Sequence, residues 1–391
     1  MALAVELADE LFDGTKSAAM PLIRHDLSLD YAQVGLLAAV PVVVGGILEL
    51  PIGIASGTGR RRRRFILIGG LAFAGSVLAV GFAGSFATLL VALTVFFPAS
   101  GAFVSLTQSE LMDSAAERQA QHMARWTLAG SAGAVLGPLL VAAVLATGGS
   151  WRQAVFAVAA AAFLVWLAVA GVGGRDLPDA GRAEPDEDAG WPGWRAVIGI
   201  ARSSGALRLL FLLQIADLLL DVLTAFLAIY LVTAAGASPS VAALGVAVRL
   251  GAGLAGDVLL LRLLERCDSR RVLRVSGWLA LVLFPAFLLV PGLGPKLAAL
   301  AALTLATAPW YPVLTAELYR SLPGRSGLAV TLSSGAGLVG SLGPLAVGLL
   351  AQSFGLSWAM TALCAVPLIM LAGLAARSRP PSPAGNRLAG G

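Results

Sequence analysis

Charged side chains make up only 13% of this 391-residue chain, where a soluble domain carries roughly a quarter. Histidine is almost missing too, with His25 and His122 the two copies. Neither His-Glu-x-x-His nor Gly-x-Ser-x-Gly occurs, so metal-dependent and triad-type hydrolysis have almost nothing to use. No glycine-rich loop ending in Lys-Ser or Lys-Thr is present to cradle ATP. The two cysteines, Cys267 and Cys364, fall in a link and a late apolar segment, and no disulfide is predicted. A charge-free leader core is also lacking: the first apolar segment holds Glu6, Asp9, Glu10 and Asp13, unlike a signal peptide. The expectation is a protein that is not an enzyme and holds no cofactor or metal.

What the chain has in quantity is hydrocarbon. Hydrophobic residues reach 58% and mean hydropathy is +0.86. Apolar runs of roughly 20 residues recur, each long enough to cross a bilayer as a helix. Twelve spans are predicted: 2–24, 32–55, 65–84, 86–110, 123–147, 151–173, 206–233, 239–264, 272–292, 295–318, 327–352 and 355–376. Residues 174–205 interrupt them with Pro178, Pro185 and the acids Glu184, Asp186, Glu187 and Asp188, a solvated linker by composition. The chain thus divides into a six-span bundle (1–173), the linker, a second bundle (206–376) and a tail (377–391). Of the 27 lysines and arginines, 22 fall in the links after even-numbered spans or in the tail; Arg24, Arg152 and Lys296 fall in the opposite links. By the positive-inside rule both termini are cytoplasmic, in a plasma membrane. The net charge of +5 therefore reports orientation in a bilayer and not nucleic-acid binding.

A second pattern runs underneath. Glu-Leu-Ala-Asp-Glu-Leu-Phe-Asp at 6–13 returns 208 positions later as Gln-Ile-Ala-Asp-Leu-Leu-Leu-Asp at 214–221. At the same offset Glu49 aligns with Asp257; Glu110 and Glu317, Gly137-Pro138 and Gly343-Pro344, and Ser150-Trp151 and Ser357-Trp358 also correspond. Six spans per copy means that both copies insert in the same direction. The predicted fold is an all-α membrane protein, twelve transmembrane helices in two six-helix bundles related by a parallel pseudo-two-fold repeat.

These features resemble the major facilitator superfamily over essentially the full length. That family's link after span 2 reads Gly-x-x-x-Asp-Arg-x-Gly-Arg-Arg. Here Gly53 fits, Gly57-Thr58 replace Asp-Arg, Arg60 replaces the second glycine, and Arg61-Arg62 follow. The second copy keeps Glu265-Arg266 and then Arg270-Arg271. Gly133-x-x-x-Gly137-Pro138 in span 5 is similar to a motif of drug–proton antiporters, and residues 6–53 look most like fosmidomycin-resistance-type efflux carriers. Because both halves carry a version, packing and rocking elements common to the fold are the preferred explanation of the glycines. The resemblance implies a central cavity lined by spans 1 and 7, and a cytoplasmic latch.

A carboxylate in hydrocarbon costs at least ~2.5 kcal/mol, so it is kept where it meets a partner or a water-filled cavity. Asp9, Asp13, Asp217 and Asp221 are the candidate proton carriers. Lys16 stands at i+3 from Asp13 and neutralises it, which favours Asp217 and Asp221. Glu49 and Asp257 read either as protonation sites or as gate ion-pair partners. Glu110 and Glu317 are expected to close the latch with Arg61 or Arg62 and with Arg270 or Arg271, beside Glu265 and Arg266. Lys16 and Arg249 break the repeat, facing Thr224 and Pro41 as mates, so they join Gln214 and Trp310 as substrate-binding candidates. Arg249 also reads as the partner of Asp217, Asp221 or Asp257, and Trp310, Tyr311, Tyr230 and Trp126 as packing or interface anchors. The expected activity is proton-coupled export of a small drug-like compound by alternating access, in a monomer. The alternative is an importer or facilitator of a small anionic metabolite held by Arg249 and Lys16.

Overall fold

The structure, a computed structural model, describes residues 1–56, 59–113, 119–171, 205–321 and 326–375. The predicted linker 174–205 and tail 377–391 therefore lie almost wholly outside the described residues. The chain is an all-α membrane protein, and no strand occurs among the described residues. Among the described residues, eleven helices are long and apolar enough to cross a bilayer. The twelfth is span 1 (Ala2–Asp26), whose acids and lysine give it a charge content no ordinary span carries.

Several helix starts are fixed by local chemistry. Span 2 (Tyr31–Ser56) begins at a capping box: Asp30 Oδ1 accepts from Gln33 N at 2.7 Å, and Gln33 Oε1 accepts from Asp30 N at 3.0 Å. Ser85 and Thr88 repeat that exchange for span 4. Ser238 caps span 8 (Pro239–Leu264), with Pro239 pre-set for the first turn. Gly148, after span 5, and its repeat mate Gly355, between spans 11 and 12, both adopt left-handed backbone, φ 78° and 89°, a conformation glycine reaches without strain.

Span boundaries shift where arginine or proline intervenes. Span 3 starts at Gly59 and not at 65 (Gly59–Phe82), because Arg60–Arg64 wind into its first turns. Span 4 runs Phe86–Ser100, passes through a π-helical turn at Gly101–Ser105, and resumes as Leu106–Asp113. Span 10 breaks between Leu293–Thr307 and Trp310–Ser321, where Pro309 offers no N–H. Span 11 breaks between Ser326–Gly340 and Gly343–Phe354, where Pro344 opens the second piece. Span 12 divides into Leu356–Ala362 and Ala365–Ala375. Spans 5 (Gln119–Ala146), 6 (Trp151–Gly171), 7 (Ala206–Thr233) and 9 (Ser269–Leu289) are continuous.

In the first bundle span 1 lies along span 5, span 3 along spans 4 and 6; in the second, span 7 packs against spans 10 and 11, and span 9 against span 10. The bundles meet through two equivalent pairs, span 2 with span 11 and span 5 with span 8, and through span 1 against span 7. Apolar burial is continuous across the meeting surface. Phe12, Phe73, Phe96 and Phe103 form an aromatic chain in the first bundle, with centroids 4.6–5.7 Å apart. Val91, Leu164, Val282 and Leu289 point outward, as suits a surface facing lipid tails.

Candidate functional site: a charged cavity between the halves

Span 1 leans on span 5 with almost no side chain between them. A Cβ on Gly137 would fall 2.5 Å from both Leu11 O and Thr15 N, and one on Gly14 would fall 2.8 Å from Pro138 Cδ. Only glycine permits backbones that close. The Gly133-x-x-x-Gly137-Pro138 motif is therefore a packing element inside the first half. Its counterpart works more loosely, since Gly340 and Gly343 face the side chains of Gln214 and Leu218 on span 7. In each half, then, a glycine–proline helix supports the helix that carries the acids.

The acids of span 1 meet different partners. Lys16 Nζ donates to Asp13 Oδ1 at 2.6 Å, and its ammonium lies 5.4–5.9 Å from the ring centroids of Phe12, Phe96 and Phe97. Those ring faces add to the stabilisation of the half-buried cation. Ser100 Oγ donates to Asp9 Oδ1 at 2.9 Å, and Ser105 Oγ donates to Glu49 Oε1 at 3.1 Å. In an α-helix, residues five apart point about 140° away from each other. The wider π turn between these two serines brings them round to serve acids on spans 1 and 2 together. Trp126 is buried and its indole donates to Glu6.

Span 7 offers its acids less. Among the described residues, neither Asp217 nor Asp221 has an ion pair within 4.0 Å or a side-chain hydrogen bond. Arg249 is 6% exposed; its Nη2 donates to Leu220 O at 3.0 Å, while its Nε has no acceptor among the described residues. An unpartnered buried donor costs about 1–3 kcal/mol.

Between the halves lies a cavity of about 260 Å³. Asp13, Lys16 and Ser17 of span 1 line one wall; Asp221, Thr224 and Ala225 of span 7 line the other; spans 2, 4 and 11 complete it with Leu37, Phe97 and Pro344 among others. Ser17 Oγ donates to Thr224 O at 2.7 Å, tying the two walls together. Toward the end remote from the arginine links, spans 2 and 11 meet backbone to backbone. A Cβ on Gly35 would stand 2.7 Å from Leu345 Cα, and Tyr31 N donates to Gln352 Oε1 at 3.1 Å. Toward the arginine end the contact loosens to the Leu338 side-chain tip against Gly46.

A model of the Major Facilitator Superfamily matches residues 10–233. The chain belongs to that superfamily. It is a family of transporters, and the whole chain shares the fold. A bacterial homologue of the human lysosomal transporter Spinster, solved inward-facing and unoccupied, superposes with TM-score 0.76 at 17% identity, covering 95% of each chain. A nucleoside transporter gives 0.73 at 11%, covering 95% of this chain and 98% of that one. A D-xylose–proton symporter gives 0.71 at 14%, with 95% of each covered. No curated protein sequence matches the chain.

One of the latch pairs expected from the sequence is replaced by another. Glu317 Oε1 accepts from Arg320 at 2.8 Å, one helical turn away, and not from Arg270 or Arg271. Glu265, Arg266, Arg270 and Arg271 are exposed and form no ion pair among the described residues. Arg61 is exposed; Arg62 and Glu110 are each engaged. Arg63, which motif reasoning passed over, donates to Val169 O at 3.2 Å. The candidates also separate. Asp13, Lys16 and Asp221 come together on the cavity, whereas Asp9, Glu49, Asp217, Asp257, Gln214 and Arg249 stand off its wall. Trp310 is buried in the second half, its indole donating to Ser276 Oγ, and Tyr230 OH donates to Leu288 O; both are packing residues. Ser17, Thr224 and Ser341 line the cavity unannounced by any charge or motif. The one sequence signal was position: Thr224 is the repeat mate of Lys16. Among the described residues no group of three or more His, Cys, Asp or Glu is arranged around a metal position.

Proposed function

We propose that the chain is a secondary transporter working by alternating access, coupling proton movement to export of a small organic compound. The charged cavity between the halves carries this reading: Asp13 and Lys16 on one wall, Asp221 on the other. The moving bodies are residues 1–173 and 206–376, with 174–205 as their tether, rocking about the cavity. Asp217 and Asp221 are the proton carriers in this reading, because a carboxylate without a fixed counter-ion is free to load and release a proton as its exposure changes. Asp13 is neutralised by Lys16 and serves the wall instead. With the arginine-rich ends in the cytoplasm, the tight contact of spans 2 and 11 closes the outer side of a plasma-membrane protein. Export follows the likeness of residues 6–53 to efflux carriers. Import of an anionic metabolite has less support, since Lys16 is already paired and Arg249 is withdrawn behind span 7.

Vesicles containing the full chain and a pH-sensitive dye test the coupling, with a panel of organic amines as cargo. The wild type is expected to move protons against an amine gradient. Asp217→Asn and Asp221→Asn are each expected to remove most of that proton flux. Both variants keeping wild-type flux would exclude this pair as the carrier.

A further inference from the structure

Arg249 stands where the first half has Pro41, and the coupling reading leaves it without a task. Its buried guanidinium rests on the Leu220 carbonyl with Nε lacking an acceptor among the described residues. Asp221 is the next residue along span 7 after Leu220, whose carbonyl Arg249 holds at 3.0 Å. The Asp221 carboxylate faces the cavity and has no donor of its own among the described residues. A sealed donor without an acceptor thus stands near an acceptor without a donor, on neighbouring spans. A buried guanidinium is costly unless a partner compensates it, so the arrangement is one position of an exchange.

We infer that Arg249 is an internal stand-in cation for Asp221, and that the cargo carries a basic nitrogen that takes Asp221 when Arg249 is withdrawn. The inference rests on the transporter reading for the word cargo, but its chemistry comes from the cavity. Lys16, the one cation on the wall among the described residues, is occupied by Asp13 at 2.6 Å, so the unpaired charge offered to a ligand is negative. Phe97 adds an aromatic side chain to the same wall, a residue type that accommodates a cation. About 260 Å³ falls below the usual span of drug-sized pockets and admits an amine of one or two rings. When the amine leaves, the Asp221 carboxylate turns onto Arg249 Nε, and the cargo meets a site already filled. The amine and the arginine compete for one carboxylate, and that competition releases the cargo.

Equilibrium binding to the purified full-length protein tests this with two probes of one shape and opposite charge, naphthylmethylamine and naphthylacetate. The amine is expected to bind the wild type and the carboxylate not. Asp221→Asn should weaken amine binding at least tenfold. Arg249→Gln should tighten it roughly threefold to tenfold, as removal of a competing closed form does. Arg249→Lys, which keeps a cation, should fall between wild type and Arg249→Gln, and it carries the test if the glutamine variant does not fold. Amine affinity unchanged or weaker in Arg249→Gln or Arg249→Lys would overturn the exchange. So would carboxylate binding that is lost in Arg249→Gln, or a wild type that ignores the amine. Liposome flux separates the two readings. An amine that binds with these variant effects yet never crosses would sink transport and leave the exchange. An amine that crosses, with equal affinity for wild type and Arg249→Gln, would sink the exchange alone.

Discussion

Spans 1 and 7 carry the same motif, yet Asp9 is held by Ser100 and Asp13 by Lys16, while Asp217 and Asp221 receive neither kind of partner. Ser150-Trp151 and Ser357-Trp358 diverge in the same sense. Trp151 is 4% exposed and donates to Asp26, whereas Trp358 is 71% exposed. Both halves share one framework of acids and glycines, and they differ in which of those acids are held. The Lys16 ammonium favours the charged form of Asp13, and among the described residues Asp217 and Asp221 have no such counter-ion.

The comparison breaks most sharply at the glycine–proline helices. Gly137→Ala sets a methyl against span 1 backbone that cannot step aside, and should exceed the ~1–3 kcal/mol of ordinary overpacking. Gly343→Ala meets only the flexible Leu218 side chain, and its melting temperature should stay near wild type. Equal melting temperatures for the two would remove the claimed difference in packing.

Next in size is the charge pair. Lys16→Met and Asp13→Asn should each cost about 1–2 kcal/mol, less than a fully buried pair because Asp13 is 44% exposed. The double variant should recover most of the loss in thermal unfolding. Asp217→Asn, removing a charge without a partner, should leave stability unchanged or raise it. A strictly additive double variant would mean that Lys16 and Asp13 do not act as a pair. Ser17→Ala deletes the bond to Thr224 O, worth about 0.5–1.5 kcal/mol, and should favour separation of spans 1 and 7. Cysteine accessibility across that contact reads the shift, and no change would place the closure elsewhere.

The smallest effect belongs to the rim. Asp26 lies two residues beyond the predicted span 1, beside Arg152. The hydrogen bond from Arg152 holds its carboxyl below the usual carboxylate range. A depressed value in the folded state means stability present above the ordinary carboxylate pKa and lost as pH falls below it. Acid-induced loss of melting temperature should therefore be slightly smaller in Asp26→Asn than in wild type.

Much of this was legible in sequence. Hydropathy marked the spans, since each must satisfy its backbone internally over a fixed thickness. The offset of 208 exposed the duplication, and the i+3 spacing placed Lys16 on Asp13. One latch partner differs: the sequence points Glu317 to Arg270 or Arg271, and Glu317 takes Arg320, an equally charged choice within its own helix. The sequence also offered Trp310 to the substrate, where the fold buries it against Ser276. Nothing in the residues around Gly101 announces a π turn, and nothing marks Ser17 or Ser341 as wall.

By itself, then, the sequence determined the class, the spans and the duplicated acids, because apolar length, charge rarity and periodicity are local properties of a chain in hydrocarbon. Which acids are paired, which face the cavity and which arginine is withdrawn were decided only when twelve helices packed. Those outcomes depend on distances of a few ångströms between spans far apart in the chain, and no local pattern encodes them.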